Sequence, residues 1–186
     1  MNLVSLYKLP FSNTQGWSEL EKVRPGLLKV FVFIVLPLSL LPPAMLYYAG
    51  SNYSEVFLKG TAVKAWSDIA VVFFLAEMLT LLGMGWLIKQ VAESNGLEID
   101  YHDAYLLAAI APIPLWLSSL GLLVPSLAFN GVLSLAALGL SCAIIYHGVE
   151  GLCHTREDVT AAAIVQMVIG AGLIAWALLL MMVMLW

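Results

Sequence analysis

The fold is decided by residues 104–149, which read AYLLAAIAPIPLWLSSLGLLVPSLAFNGVLSLAALGLSCAIIYHGV. These 46 residues contain no Asp, Glu, Lys or Arg. As a single helix they would extend about 70 Å at about 1.5 Å per residue, whereas the hydrocarbon core of a bilayer is about 30 Å thick. The stretch therefore predicts two transmembrane helices folded back on each other, with the turn between Gly121 and Pro125, and hence an integral membrane protein.

The composition of the whole chain agrees with a membrane location. Hydrophobic residues make up 62% of the sequence and charged residues 11%, with a mean hydropathy of +0.95. A soluble domain has a hydrophobic fraction near one half and a charged fraction of about a quarter. The net charge of −4 argues against nucleic acid as a partner, because nucleic-acid-binding proteins carry a basic stripe. No cofactor is predicted.

Five segments reach the length of about 20 mainly apolar residues that a transmembrane helix needs. Their predicted bounds are Leu27–Tyr48, Trp66–Ile88, Ala104–Leu122, Ser126–Tyr146 and Val159–Trp186. The predicted fold class is all-α, a polytopic membrane bundle of five transmembrane helices formed by residues 27–186.

Residues 1–26 are predicted to form a cytoplasmic N-terminal segment that contains a short amphipathic helix, Trp17–Val23. Ser18 followed three residues later by Glu21 is a capping box, in which two side chains satisfy backbone amides at the start of a helix. The apolar residues of the helix would share one face, so we expect it to lie on the inner membrane surface. A loop turn that starts near Ser18 is the alternative.

The distribution of basic residues predicts the orientation. Six fall on the side of the N-terminus: Lys8, Lys22, Arg24, Lys29, Lys89 and Arg156. Lys59 and Lys64 fall on the opposite side. Because basic residues accumulate in cytoplasmic segments, the N-terminus is predicted inside and the C-terminus outside a plasma or inner membrane.

Prolines and small residues predict how the helices pack. Pro37, Pro42 and Pro43 in the first span and Pro112 and Pro114 in the third each remove a backbone donor, so both helices are expected to be interrupted and to pack inside the bundle. Close helix contacts are expected at small residues of three spans, which include Gly83, Gly85, Ser134, Ala137, Gly139, Ser141, Gly170, Ala171 and Gly172.

Two stretches carry a resemblance to a known family. Residues 9–45, LPFSNTQGWSELEKVRPGLLKVFVFIVLPLSLLPPAM, place a Trp-containing amphipathic turn before a first span rich in Leu and Pro. Residues 104–152 carry an aromatic at Tyr105, two mid-span prolines, a turn at Pro125 and an aromatic-Gly end at residues 146–148. In these features the chain resembles small prokaryotic members of the Yip family, named for Ypt/Rab-interacting proteins.

The resemblance implies five spans with a cytoplasmic N-terminus. The short length and simple termini suggest a bacterial or archaeal plasma membrane. Eukaryotic relatives bind Rab GTPases, but that role is not transferred to this chain, because about 26 residues precede the first span and the motif of the longer relatives is not found in them. Membrane lipids and a membrane or cytoplasmic protein are the partners to be expected.

Catalytic motifs are absent from the sequence, which contains no G-x-S-x-G, no H-E-x-x-H, no Walker loop and no dinucleotide fingerprint, so no enzyme activity is predicted. His147, Glu150 and His154 would share a face if the fourth helix continued past its apolar part, and such ligands suit borderline metals. The simpler interpretation is a frayed helix end with solvated polar residues. The loop Glu93–Asp103 is likewise read as a solvated acidic loop.

Glu77 is the only charged-type residue well inside a span. About eleven residues separate it from each end of the predicted second helix, near the midplane, where an ionised carboxylate costs about 2.5 kcal/mol or more. Three further residues are predicted at the same depth: Ser39, Pro112 and Pro114. A protonated Glu77 could donate to a carbonyl that the prolines leave free, at Ala108 or Ile110, and so staple the second helix to the third.

The same site permits a functional interpretation, in which Glu77 exchanges a proton or cation where the helices are interrupted. Two functions therefore stay open. One is a non-enzymatic membrane component that organises lipids or partner proteins, favoured by a closed, dry bundle around Glu77. The other is a small transporter or channel that works as an oligomer, favoured by a water-filled cavity that reaches Glu77. A homo-oligomer is expected, because the three faces of small residues offer more surface for close packing than one bundle needs.

Overall fold

The structure is a computed structural model that describes residues 17, 24–57, 60, 64–97, 99–152 and 158–185, with the backbone alone for residues 152 and 158–161. Five helices cross the bundle: α1 Leu27–Phe57, α2 Trp66–Ser94, α3 Tyr101–Leu123, α4 Leu127–Leu152 and α5 Asp158–Leu185. All five are long and apolar enough to span a membrane, and the described residues contain no strand. The prediction of an all-α bundle of five transmembrane helices is confirmed.

Several helices extend beyond their predicted ends. The predicted ends follow the loss of hydropathy, whereas the helices continue into the polar residues that come next. The end of α2 is an example: the helix continues to Ser94, six residues past Ile88. There the N–H of Gly96 donates to the carbonyl of Glu93 at 3.0 Å, and the N–H of Leu97 donates to the carbonyl of Ala92 at 3.1 Å. With Gly96 at a φ of +78°, this is a Schellman motif that satisfies the last carbonyls of the helix.

The prolines interrupt α1 and α3 as predicted. In α1 a π-helical turn, Phe31–Val35, precedes Pro37, and a second break at Leu40 precedes Pro42 and Pro43, which then sit in the first turn of a new helical segment. Proline is tolerated in a first turn because the amide it lacks would have no partner there. In α3 the segment Tyr101–Ile110 is followed by a turn, by Ile113–Ser118 and by the 3₁₀ turn Ser119–Leu123.

The first half of α3 occupies the centre of the bundle, and every residue from 103 to 111 is buried. It packs closely on α2 through Gly85, where an added Cβ would lie 3.5 Å from the Cα of Tyr105. The predicted role of small residues is therefore confirmed at Gly85. A glycine at this position lets the two backbones approach each other.

The same prediction is wrong for four other glycines. Within the described residues, no atom lies within 4 Å of a Cβ built on Gly83, Gly139, Gly170 or Gly172, so these positions do not mediate close contacts inside the bundle. Two of them lie on α5, whose most apolar stretch is almost entirely unburied. Because α5 is apolar on all sides, its sequence contains no stripe that distinguishes a packed face from a lipid-facing one.

The hairpin between α3 and α4 lies where the sequence places it, around Pro125. The side-chain amide of Asn130 donates to the carbonyls of Val124 and Ser126 at 2.9 and 2.8 Å, which closes the turn. A Cβ on Gly121 would lie 2.8 Å from the Asn130 Oδ1, so a larger residue at this position would displace the amide that closes the turn. The predicted fold of residues 104–149 into two antiparallel helices is confirmed.

The helices alternate in direction, so the connections gather at two ends. We call the end that carries Trp17, Arg24 and the α2–α3 connection the N-terminal end. At the opposite end the Tyr53 hydroxyl donates to the carbonyl of Leu122, and Lys64 Nζ donates to two carbonyls in the last turn of α5, those of Val183 and Met184, at 3.1 and 3.0 Å. A lysine in this position satisfies carbonyls that have no partner within the helix.

Candidate functional site

The buried carboxyl of Glu77 is paired with an indole. Glu77 is 8% exposed, and its Oε1 accepts a hydrogen bond from Nε1 of Trp116 in the second half of α3. Because α2 is longer than predicted, Glu77 lies eleven residues from Trp66 and seventeen from Ser94, rather than midway between its ends. A side chain well inside a span is thus held by a donor from a neighbouring helix.

The break in α3 presents Trp116 to Glu77. The amide of Ala111 makes the last bond of the first half, to Leu107, and the amide of Trp116 makes the first bond of the second half, to Pro112, both at 2.9 Å. Trp116 is buried, and a buried indole N–H needs an acceptor. The carboxyl of Glu77 supplies that acceptor.

The expected donation from Glu77 to a proline-freed carbonyl is not formed. Its second oxygen, Oε2, has no hydrogen-bond partner among the described residues, so Glu77 donates neither to Ala108 nor to Ile110 through that oxygen. The staple between α2 and the interrupted α3 is therefore a bond to Trp116. The predicted interior position of the carboxyl is confirmed, whereas its predicted partner is wrong.

A cavity of about 200 Å³ lies between α2, α3, α4 and α5 and contains this pair. Its walls are mainly apolar, and it is partly open. The polar side chains that line it are those of Glu77, Thr80, Ser118, Ser134, Ser141 and Cys142. Glu77 is thus set in an apolar chamber, neither in a fully closed core nor in a polar channel.

The structure brings together only part of the predicted midplane site. Pro112 lines the cavity beside Glu77, whereas Ser39 and Pro114 are not among its lining residues. Ser39 is fully buried and donates to the carbonyl of Leu36 at 3.2 Å, so its hydroxyl is satisfied within α1. Pro114 lies in the first turn of the second half of α3.

A second polar cluster ties the N-terminal end together. The guanidinium of Arg24 donates to Asp100 at 3.1 Å and to Asp103 at 3.5 Å. His102 contacts the other carboxylate oxygen of Asp103 through Nδ1 at 3.1 Å and the carbonyl of Pro25 through Nε2 at 2.9 Å. Both ring nitrogens of His102 thus have a polar partner, which fixes the imidazole between α3 and the segment that precedes α1.

The interpretation of Glu93–Asp103 as a solvated acidic loop is therefore wrong at Asp103, which is buried between Arg24 and His102. Asp100 keeps half of its side chain exposed while it pairs with Arg24. The difference arises because Asp103 pairs with Arg24, which lies 79 residues away in the sequence. The sequence of the loop alone cannot predict such a partner.

Trp17 is seated on two glycines of α4. Its side chain is fully buried, and a Cβ on Gly151 would lie 2.7 Å from the Trp17 Cβ, while one on Gly148 would lie 3.0 Å from its Cζ2. The helix α4 continues through both glycines to Leu152. The rest of the predicted interfacial helix, Ser18 to Val23, lies outside the described residues.

The proposed metal ligands stay a prediction. His147 Nδ1 and Glu150 Oε2 are 3.8 Å apart on adjacent turns of α4, and the third residue, His154, lies outside the described residues. Within the part of the chain that the structure describes, no three His, Cys, Asp or Glu side chains group as metal ligands would.

Trp116 was not predicted as a site residue, and Ser141 was predicted only as a packing residue. Trp116 could have been considered, because a buried indole usually finds an acceptor and Glu77 is the only carboxyl well inside a predicted span. Ser141 carries no such signal, since serine in a transmembrane helix commonly serves close packing.

The contact between Trp17 and Gly151 can be tested with a matched pair of substitutions. We predict that Gly151→Ala loosens the N-terminal segment, because the added methyl overlaps Trp17 and overpacking costs about 1–3 kcal/mol. Trypsin cleavage after Lys8 and Lys22 should be at least about fivefold faster than in the parent. Gly139→Ala, on the same helix with open space at its Cβ, should be cleaved at the parent rate. Equal rates in all three proteins would contradict the seat.

The comparisons with known proteins agree with the resemblance noted in the sequence. A family model described as the Yip1 domain matches residues 7–179 of the 186 in the chain, a range that includes Trp17, both interrupted helices and Glu77. No match was found among curated proteins or among solved structures. Since the family model covers well over half of its length, this multi-pass membrane protein belongs to the Yip1-domain family.

Proposed function

We propose that the protein is a non-enzymatic membrane component of the Yip type, which organises membrane lipids or partner proteins through its helices and short cytoplasmic segments. The observation that carries the proposal is the environment of Glu77, which pairs with Trp116 inside a mainly apolar cavity. No Asp, Lys, Arg or His joins Glu77 among the residues that line this cavity. Ion and proton pathways in membranes are built from series of such groups.

Family membership supports the same proposal. Yip-family proteins are in general non-enzymatic membrane proteins that interact with membranes and with partner proteins. The N-terminal end offers the parts that a partner-binding role needs, since Arg24, Asp100 and Glu93 keep much of their side chains exposed there. Arg24 is held by its pairs with Asp100 and the buried Asp103, and Glu93 pairs with Lys89 at 3.4 Å.

A small oligomeric transporter or channel is the second candidate, and one observation favours it. The cavity is partly open, and the second oxygen of Glu77 has no hydrogen-bond partner among the described residues. In this alternative the interruptions of α1 and α3 and the carboxyl of Glu77 together form the pathway.

A flux assay separates the two candidates. Purified protein in liposomes should conduct protons, Na⁺ and K⁺ no faster than protein-free liposomes, and Glu77→Gln should not differ from the parent. Glutamine keeps the shape of the side chain and an acceptor for Trp116 but removes titration. A parent flux well above the protein-free rate that is lost in Glu77→Gln would establish the transport alternative and refute the proposal.

We further propose that the protein lies in a plasma or inner membrane with the N-terminus inside, on the excess of basic residues at the N-terminal end. Ser54, the obvious reporter for the outer side, is buried in the structure, whereas Ser67 and Ser94 are exposed at opposite ends of α2. On a background without Cys142 and Cys153, a membrane-impermeant thiol reagent should label Ser67→Cys in intact cells and Ser94→Cys only after lysis. The reverse pattern would overturn the orientation.

A homo-oligomer is also proposed, because Gly83 and Gly139 leave open space on the outer surface and α5 is barely buried by its own bundle. Small residues on a lipid-facing surface allow a second copy to pack closely. The detergent-corrected mass should exceed that of one 20.2 kDa chain at micromolar concentration. A monomeric mass over a wide concentration range would remove this part of the proposal.

A further inference from the structure

Two of the residues that line the cavity each carry a buried polar atom without a partner. Glu77 Oε2 and Ser141 Oγ belong to residues that are 8% and 4% exposed, and neither atom has a hydrogen-bond partner among the described residues. They lie on different helices, α2 and α4, yet both line the same space. Buried polar groups are paired in the great majority of cases, so two unpaired groups in one cavity indicate that a polar group of a ligand belongs there.

The bond to Trp116 shows which hydrogen-bonding group the ligand offers. The indole can only donate, so Glu77 Oε1 is an acceptor. Because no cationic side chain lines the cavity to balance a carboxylate, the uncharged acid is the form of Glu77 that costs less to bury there. Its Oε1 is then the carbonyl oxygen, and Oε2 carries the hydrogen. The ligand must therefore supply an oxygen that accepts this hydrogen.

The walls determine the rest of the molecule. Most of the lining is aliphatic or aromatic, including Phe73, Leu138, Val168 and Leu173. The volume of about 200 Å³ compares with an engineered apolar cavity of about 150 Å³ that holds benzene, so roughly eight to ten non-hydrogen atoms fit. The ligand is therefore mainly apolar and small.

From these observations we propose that the cavity binds an uncharged amphiphile with a single hydroxyl group, for which a medium-chain alcohol such as 1-octanol is the simplest representative. The hydroxyl oxygen accepts the hydrogen of Glu77 Oε2, the chain packs against the apolar walls, and Ser141 supplies the second polar contact in the same space. This inference goes beyond a scaffold role, because it assigns a small-molecule site to the interior of the bundle.

Photolabelling tests the proposal directly. The probe is a diazirine derivative of 1-octanol, applied to the purified protein in phosphatidylcholine nanodiscs, with the labelled residues mapped by mass spectrometry. Labelling of cavity residues should saturate with probe concentration. At equal mole fraction in the bilayer, unlabelled 1-octanol should compete at least about fivefold better than n-octane, since one hydrogen bond distinguishes them.

Gly172 and Gly170 supply a matched pair of variants. Both lie on α5 with open space at the Cβ position, but only Gly172 lines the cavity. Gly172→Leu should fill the space and reduce saturable labelling at least about tenfold, while Gly170→Leu should leave it unchanged. Ser141→Ala, which removes one polar contact and little volume, should weaken competition by 1-octanol about fivefold and leave n-octane unaffected.

Three results would each overturn the proposal. Labelling that rises without saturation would show contact with bilayer alcohol alone. Equal competition by n-octane and 1-octanol would show a dry apolar void with no role for the polar atoms. Unchanged labelling in Gly172→Leu, with the variant eluting from size exclusion as the parent does, would place the probe outside the cavity.

Discussion

The structure depends on one constraint, that the hydrocarbon core of a membrane offers no water to a polar group. A polar group in the interior is therefore stabilised when it finds its partner within the protein. The pair of Glu77 and Trp116 is the clearest consequence, because each residue alone would leave a buried polar group unpaired. Their bond also joins the unbroken α2 to the second half of the interrupted α3. One hydrogen bond therefore pairs both buried polar groups and holds the two helices together.

The constraint acts at the ends of the bundle as well. Lys64 caps the last turn of α5, Asn130 closes the α3–α4 hairpin and Tyr53 reaches the carbonyl of Leu122. At the N-terminal end, Asp103 is buried only because Arg24 and His102 surround it. Polar contacts thus join the helices at both ends of the bundle, while the cavity around Glu77 in its middle has mainly apolar walls.

Hydropathy and proline positions predicted the five helices, the hairpin at Pro125 and the interruptions of α1 and α3, because those features depend on short stretches of sequence. The burial of Glu77 could be predicted for the same reason. Its partner could not be derived from depth alone, since the direction of Trp116 is set by the break in α3. Two contacts join residues that are far apart in the chain, the ion pair of Arg24 with Asp103 and the packing of Trp17 on Gly151. No local sequence pattern predicts either of them. The glycines of α5 were wrongly predicted to mediate close helix contacts, because the sequence of a helix that is apolar on all sides does not indicate which face is packed.

The central claim, that Glu77 and Trp116 hold α2 to the second half of α3, is tested most directly by a double-mutant cycle in reversible unfolding from detergent. Glu77→Leu and Trp116→Phe should each lower the free energy of unfolding by about 1–3 kcal/mol, because each leaves the other residue unpaired in the interior. The double variant should be no less stable than the worse single variant, with a coupling energy of about 1 kcal/mol or more. Effects that add to within about 0.5 kcal/mol would show that the two side chains are independent and would contradict the account.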